Sequence, residues 1–357
     1  MPAIHQFIAG FSRGDAISNE AVFMRDIFRQ WGYPSEIFAE RKRILPELRR
    51  EAVDVAQATT RVKPSDVVLL HLSIGSLVND VFDQLRCRKV ILYHNITPPE
   101  FFRGVQEEVA NFLARGREQA RRLARGADLY LADSQYNADE LEAMGAPNVT
   151  VLPLVLDLDK LRHDVDRRLL KQWQDGKTNV LFVGRCAPNK RIEDLLRAFY
   201  YFQRYVEPNS RLICAGSYNG LESCHAYQLT LRRDLELRDV EFPGSIPQPW
   251  LNAAYRAAHV FGCMSEHEGF GIPLIESMAM GVPVVAYSAA AVPDTMAGAG
   301  ICFHAKRFDA IAEMWGRVAR PGPFRDAVLQ GQKERMDRYT QRDLKRELQQ
   351  HLDPLLN

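Results

Sequence analysis

Glu268-Gly-Phe-Gly-Ile-Pro-Leu-Ile-Glu276, continuing Ser-Met-Ala-Met-Gly281-Val-Pro-Val-Val-Ala286, reads as a glycine loop, a helix opening on proline, a glycine stop and a buried strand. A loop–helix–strand of this kind is the repeating unit of a parallel α/β sheet. Gly269 and Gly271 allow the backbone around Phe270 to approach a ligand closely, and Pro273 suits the first turn of a helix. Free N–H groups at such a helix start attract phosphate. Glu276 falls about one turn inside, where a carboxylate can accept hydrogen bonds from sugar hydroxyls, and Glu268 stands ahead of the loop. The pattern outlines a nucleotide-sugar site with a diphosphate between two carboxylates. Two glutamates at this spacing are weak evidence alone; the full string is the signal.

Working outward, apolar runs alternate with helical patterns along the whole chain. Residues 3–9, 67–72, 90–93, 129–132 and 149–154 read as strands of a first half, with helices at 20–31 and 107–125. A second series begins at Val180-Leu-Phe-Val-Gly-Arg185 and continues with strands at 211–215, 240–242, 260–263 and 282–286. The expected organisation is a first Rossmann-like domain over residues 1–156, a charged connection over 157–177, a second Rossmann-like domain over 178–329 and a C-terminal helix over 330–357 packing at the domain junction. At 357 residues the chain is comfortable for two cores.

A formal net charge of +1, with 46% hydrophobic and 25% charged residues, describes an ordinary globular protein and argues for neither nucleic acid nor an acidic partner. Cys87, Cys186, Cys214, Cys224, Cys263 and Cys302 form no CxxC pair, which fits a reducing cytoplasm better than a disulfide framework. No signal peptide is visible and no run is long enough to span a bilayer. A dinucleotide oxidoreductase requires G-x-G-x-x-G after the first strand; Gly10-Phe-Ser-Arg-Gly14 does not supply it, and Gly269-Phe-Gly271 lacks the third glycine.

The string around Glu268 and Glu276 resembles the donor-binding signature of retaining glycosyltransferases of the family 4 (group 1) type. That resemblance implies a GT-B architecture, two facing Rossmann-like domains with an interdomain cleft, and transfer of a sugar from a nucleotide-sugar donor. Arg185, at a strand end, and Lys190, at the next helix start, resemble the family's diphosphate-gripping pair, and a cation at each place can clamp phosphate. The resemblance assigns Glu268 to hydroxyls of the transferred sugar and Glu276 to the ribose. His94, ending the strand in Leu92-Tyr-His-Asn-Ile-Thr-Pro-Pro99, resembles the family's histidine beside the donor sugar, and with Glu268 is the candidate catalytic residue. His71 is similarly placed, and His267 adjoins the Glu268 loop. Arg13, Gly14 and Asp15 stand where the family has a glycine-rich loop over phosphate or acceptor, although the tight Gly-Gly pair is missing. Ser134 reads as a helix N-cap.

Asp157-Leu-Asp159 and Asp164-Val-Asp166 look like D-x-D metal motifs but lie far in sequence from the inferred donor site. The expectation is no metal and no cofactor, with Arg185 and Lys190 supplying the positive charge. Arg117, Arg121 and Arg125 recur every fourth residue, with Arg115 and Arg122 nearby, suggesting contact with an anionic membrane surface or a polyprenyl-diphosphate-linked acceptor. The reading is thus a cytoplasmic hexosyltransferase, peripheral at the inner membrane face at most, acting on a glycan or lipid-linked acceptor in bacterial surface polysaccharide synthesis. GDP-mannose is the first choice of donor and a UDP-sugar the second. Its rivals are a sucrose-type synthase or phosphorylase, a sugar-nucleotide epimerase and a catalytically silent GT-B subunit; the presence of Arg185, Lys190, Glu268 and Glu276 argues against the last.

Overall fold

The computed structural model describes residues 2–356 and divides into two units. The first runs up to Leu156 and takes the chain back from Asp343; the second is Asp157–Arg342. In the first, seven strands are β1 (Ile4–Ile8), β2 (Ile37–Ala39), β3 (Val53–Asp54), β4 (Val67–Leu72), β5 (Arg88–Tyr93), β6 (Leu129–Ala132) and β7 (Thr150–Val151). They form a parallel sheet of order β3-β2-β1-β4-β5-β6-β7, with Ile4 opposite Val67 and Leu70 opposite Ile91. Every residue of β1 and β4 is buried, as expected where helices cover both faces and apolar runs replace alternation. The order reverses between β1 and β4, so their carboxyl ends form the switch point at which such sheets bind ligands.

The second unit has six strands, β8 (Thr178–Val183), β9 (Ser210–Ala215), β10 (Val240–Gly244), β11 (Val260–Cys263), β12 (Val284–Tyr287) and β13 (Ile301–Phe303). Their order, β10-β9-β8-β11-β12-β13, puts this sheet's switch point between β8 and β11. Its core gathers Phe182, Leu195, Phe199, Phe202, Val260 and Trp315. Two α/β units of this type are the expected fold class.

The strands at 67–72, 129–132 and 260–263 lie where the apolar runs put them, whereas β2, β3 and β13 were not anticipated. At two or three residues each, they are too short to show periodicity. The segment 157–177 is held by the second unit. Asn252 Nδ2 donates to the carbonyls of Lys160 (2.8 Å) and His163 (2.6 Å), and Trp173 is buried, its Nε1 donating to Glu241. The tail expected as one helix over 330–357 is two, Pro323–Thr340 and Leu344–Leu356, split at Gln341–Asp343. The last helix presents Leu344, Leu348 and Leu352, one per turn, to Ile4, Phe28, Val67 and Val90 of the first unit. All six cysteines are free. Among the described residues no helix is long and apolar enough to cross a membrane.

Candidate donor site at the switch point of the second sheet

The loops leaving β8 and β11 are stitched together. The Glu266 amide donates to the Asn189 carbonyl (2.9 Å), and Asn189 Nδ2 donates to the His267 carbonyl (2.9 Å). Beside this double bond, Lys190 Nζ stands 2.6 Å from Glu268 Oε2, both side chains being mostly buried. The two predicted donor residues thus form one ion pair across the switch point. Lys306 adds a further tie, reaching Glu266 (2.7 Å) and Asp194 (2.8 Å). Burial alone would raise the Asp194 carboxyl, but Lys306 and Arg191 outweigh it and hold the group below its ordinary range. Arg185 is exposed at the end of the β8 turn, with no ion-pair partner among the described residues.

Close backbone approaches shape this end of the sheet. A Cβ at Gly216, after β9, would lie 1.9 Å from the Gly184 carbonyl oxygen, so the β8 and β9 exits can touch only through glycine. Gly271 has φ of +83°, and its Cβ would meet Leu274 Cδ1 at 2.9 Å. Left-handed backbone here turns the loop directly into helix Ile272–Ala279. Phe270 is buried and its carbonyl accepts from Thr295 Oγ1. Gly269 lies between it and Glu268, whose own carbonyl accepts from the Ala291 amide (3.2 Å).

Glu276 is buried in the first turns of that helix. Tyr255 OH donates to Glu276 Oε2 (2.8 Å), and Lys160 Nζ lies 3.7 Å from Oε1. Burial and the Glu276 charge together push the Tyr255 hydroxyl well above its usual range, so it stays a donor. One carboxylate oxygen is fixed by the tyrosine, leaving the other to a second partner. Tyr255, Lys160 and Asn189 went unseen in the sequence because they meet the motif only through tertiary contacts.

In the first unit, Arg13 and Gly14 are exposed, and Asp15 caps helix Ala16–Gln30 by accepting from the Ser18 amide (2.9 Å) and hydroxyl (2.8 Å). Gly10, Ser12, Asp15, Arg43 and Ser73 help line a cavity of about 210 Å³ at the β1/β4 switch point. His71 and His94 do not line it. Both are buried, with His71 Nδ1 3.0 Å from His94 Nε2, His71 Nε2 2.9 Å from Gln6 Oε1, and His94 Nδ1 3.2 Å from Asp133 Oδ2. Glu20 Oε2 lies 3.5 Å from His94 Nε2. Both His94 nitrogens thus face side chains of the first unit, Nε2 toward His71 and Nδ1 toward Asp133. Burial and the neighbouring His94 push the His71 imidazole well down. Burial also pulls His94 down, but the hydrogen bond to Asp133 and the charges of Glu20 and Asp133 more than offset it and leave it raised. Burial lifts Glu20 to about 7 and raises Asp133.

Elsewhere, Ser134 is the N-cap of helix Gln135–Ala143, and Asp166 caps helix Arg167–Trp173. In the basic helix, Arg115 and Arg122 each reach Asp80 (2.7 Å), Arg122 also meets Asp83 (2.8 Å), and Arg117 reaches Glu140 (2.7 Å). These carboxylates neutralise three of the five arginines, and among the described residues Arg121 and Arg125 have no ion-pair partner.

Residues 169–352 match the model of the family "Glycosyl transferases group 1". Over 133 residues the chain is 33% identical to O-antigen chain mannosyltransferase B of Escherichia coli, covering 37% of this chain and 34% of that protein. Over 196 residues it is 29% identical to a GDP-mannose-dependent alpha-(1-6)-phosphatidylinositol monomannoside mannosyltransferase of Mycobacterium tuberculosis, covering 50% of this chain and 49% of that one. The matches thus span half or less of the length of these curated relatives. Among solved structures, Anabaena HepE in complex with UDP and glucose aligns over 99% of this chain and 100% of its own, with a TM-score of 0.73 at 17% identity. Sucrose-phosphate synthase from Thermosynechococcus elongatus aligns over 99% of both chains with a TM-score of 0.74, also at 17% identity. The family model covers more than half of the chain, the paired Rossmann-like units match the GT-B fold, and the chain belongs to the group 1 glycosyltransferases.

Proposed function

We propose that this chain is a hexosyltransferase that moves a sugar, with retention of anomeric configuration, from a nucleotide-diphosphate donor to a glycan or lipid-linked acceptor. The observation that carries the reading is the meeting of Lys190, Glu268 and the Glu276 helix at one sheet switch point, where α/β folds bind phosphorylated ligands. In this reading Lys190 and Arg185 take the diphosphate, and the N-terminus of helix Ile272–Ala279 adds its amide dipoles. Glu268, held at the edge of the phosphate site by Lys190, orients hydroxyls of the sugar. Glu276 offers Oε1 to the ribose while Tyr255 holds Oε2. As the glycosidic bond breaks, negative charge grows on the leaving diphosphate, and the two cations stabilise it there without a divalent ion. The front-face course of the family needs no protein nucleophile, because the leaving phosphate takes the acceptor proton.

Mannose from GDP-mannose is the preferred donor, on the strength of the two mannosyltransferase relatives. A UDP-sugar is second, since HepE is seen with UDP. The acceptor belongs to bacterial surface glycan synthesis, by analogy with the O-antigen enzyme. A thermal-shift and titration panel of UDP, GDP, ADP and dTDP with their sugar conjugates tests the donor. A ligand in hundredfold excess over its Kd stabilises by about 2.7 kcal/mol. One nucleotide series should shift the midpoint and lose the shift in Glu276→Ala. Silence across the panel in folded protein overturns the reading in favour of an inactive subunit, and activity abolished by a chelator at the donor step overturns its metal independence.

A further inference from the structure

The histidine pair in the first unit has a proton count that its neighbours fix. Gln6 Nε2 donates to the Ala21 carbonyl (2.8 Å), so Gln6 Oε1 is the atom that faces His71. An amide oxygen only accepts, and His71 Nε2 therefore carries a hydrogen. On the other ring, His94 Nδ1 faces the Asp133 carboxylate and carries a hydrogen toward it. Were both imidazoles neutral in these tautomers, two bare lone pairs would face each other at 3.0 Å. The rings are parallel within 2° with centroids 5.2 Å apart, so the two nitrogens point along one line, the geometry of N–H···N.

An extra proton resolves the conflict, and the surroundings say which ring holds it. Glu20 Oε2 meets no hydrogen-bond donor, and it lies nearer His94 Nε2 (3.5 Å) than His71 Nδ1 (3.8 Å). Asp133 adjoins His94 alone, is itself held by Asn137 Nδ2, and Asp15 adds a more distant negative charge. Neither Glu20 nor Asp133 has a lysine or arginine ion-pair partner among the described residues, and buried carboxylates need a cation. The backbone is fixed as well. Asn95 sits at φ +75° with its Nδ2 donating to Asn137 Oδ1 (2.7 Å) and Glu140 Oε2 (3.1 Å), which locks the turn that carries His94.

We infer that Glu20, His71 and Asp133 are positioning residues that hold His94 as a buried imidazolium, donating from Nδ1 to Asp133 and from Nε2 to His71. His94 is then a fixed positive charge beneath the strand ends of the first unit and is closed to service as a general base. Its use in sugar transfer rests on the function proposed above, but its charge state does not.

Nitrogen-15 NMR of the full chain labelled at histidine reads that state without turnover, with His94 signals identified by their loss in His94→Gln. At a pH where a free histidine is neutral, His94 should show two protonated nitrogens and His71 one bare Nδ1. Glu20→Gln should lower the pH at which His94 releases its proton by at least one unit, a tenfold loss of proton affinity. The alkaline limb of the pH–rate profile should move down with it, while nucleotide binding at the second unit stays unchanged. A His94 ring with one bare nitrogen at that pH overturns the inference, and wild-type protein alone decides this if Glu20→Gln fails to fold. The three facing atoms also lie close enough for one cation. Stoichiometric Zn²⁺ added to wild type should leave both rings unperturbed; displacement of the shared proton would mean a metal site and overturn the imidazolium. If the NMR result holds but no nucleotide binds, the charge assignment stands and the transferase reading falls.

Discussion

Glu268 places one carboxylate oxygen 2.6 Å from Lys190 at the lip of the proposed donor site, and its removal separates stability from turnover. Lys190 keeps 21% exposure, so water takes up part of the lost contact and Glu268→Ala should cost about 1–2 kcal/mol of stability. Turnover should fall roughly a hundred- to a thousandfold, the scale of losing one preorganised polar group. A steady-state assay beside a melting curve checks both, and wild-type turnover in the folded variant removes Glu268 from the mechanism. Glu276 behaves differently, because its truncation to alanine leaves the Tyr255 hydroxyl buried without an acceptor, at a cost of about 1–3 kcal/mol. Glu276→Gln keeps an acceptor for Tyr255 and removes only the charge, so it should weaken nucleotide binding with a much smaller change in melting. The two glutamates were legible in the sequence because a loop, a helix start and a strand follow one another within nineteen residues. Their partners were not: Asn189 and Tyr255 are brought in by sheet order and leave no local pattern. His71 and His94 were visible as strand-end histidines, but their hydrogen-bond partners, Gln6 in the middle of β1 and Asp133 just after β6, come from two other strands.

The elements that carry these side chains are held apart or together by very little space. At Gly271 a methyl group would have to accept φ of +83° and push on Leu274, in the first turn of helix Ile272–Ala279. Gly271→Ala should therefore lower stability by about 1–2 kcal/mol, the scale of a left-handed non-glycine residue, and weaken nucleotide binding as the loop shifts. Titration calorimetry beside thermal melting checks this, and unchanged affinity would mean that the loop does not shape the phosphate site. The strands at 67–72 and 129–132 could be read directly, since buried parallel strands are nearly continuous apolar runs. The short strands β2, β3 and β13 could not, because two or three residues carry no period. Helix Leu344–Leu356 was readable as helical from its charge and spacing, yet the sequence does not say which core takes Leu344, Leu348 and Leu352. Leu348→Ala should cost about 2–5 kcal/mol, with the loss appearing in the unfolding of the first unit.

At the scale of the whole chain, the polypeptide leaves the first unit at Leu156, completes the second by Arg342 and then returns. Each unit has a core of its own: one built on Ile4, Phe28, Leu69 and Leu92, the other on Phe182, Phe199, Phe202 and Trp315. The last helix lies beyond the second unit in sequence and contributes three buried leucines to the first. The proposed donor residues, Arg185, Lys190, Glu268 and Glu276, all belong to the second. Ending the chain after Arg342 should consequently act on one unit and spare the other. The truncated protein should lose the calorimetric transition of the first unit, or show it far lower, because Ile4, Val67 and Val90 lose their leucine cover. The second unit should keep its own transition, and the nucleotide that stabilises the full chain should still raise it by mass action. A truncated chain that folds yet binds no nucleotide would place part of the donor site in the first unit. Loss of both transitions would mean that the second core does not stand without the first.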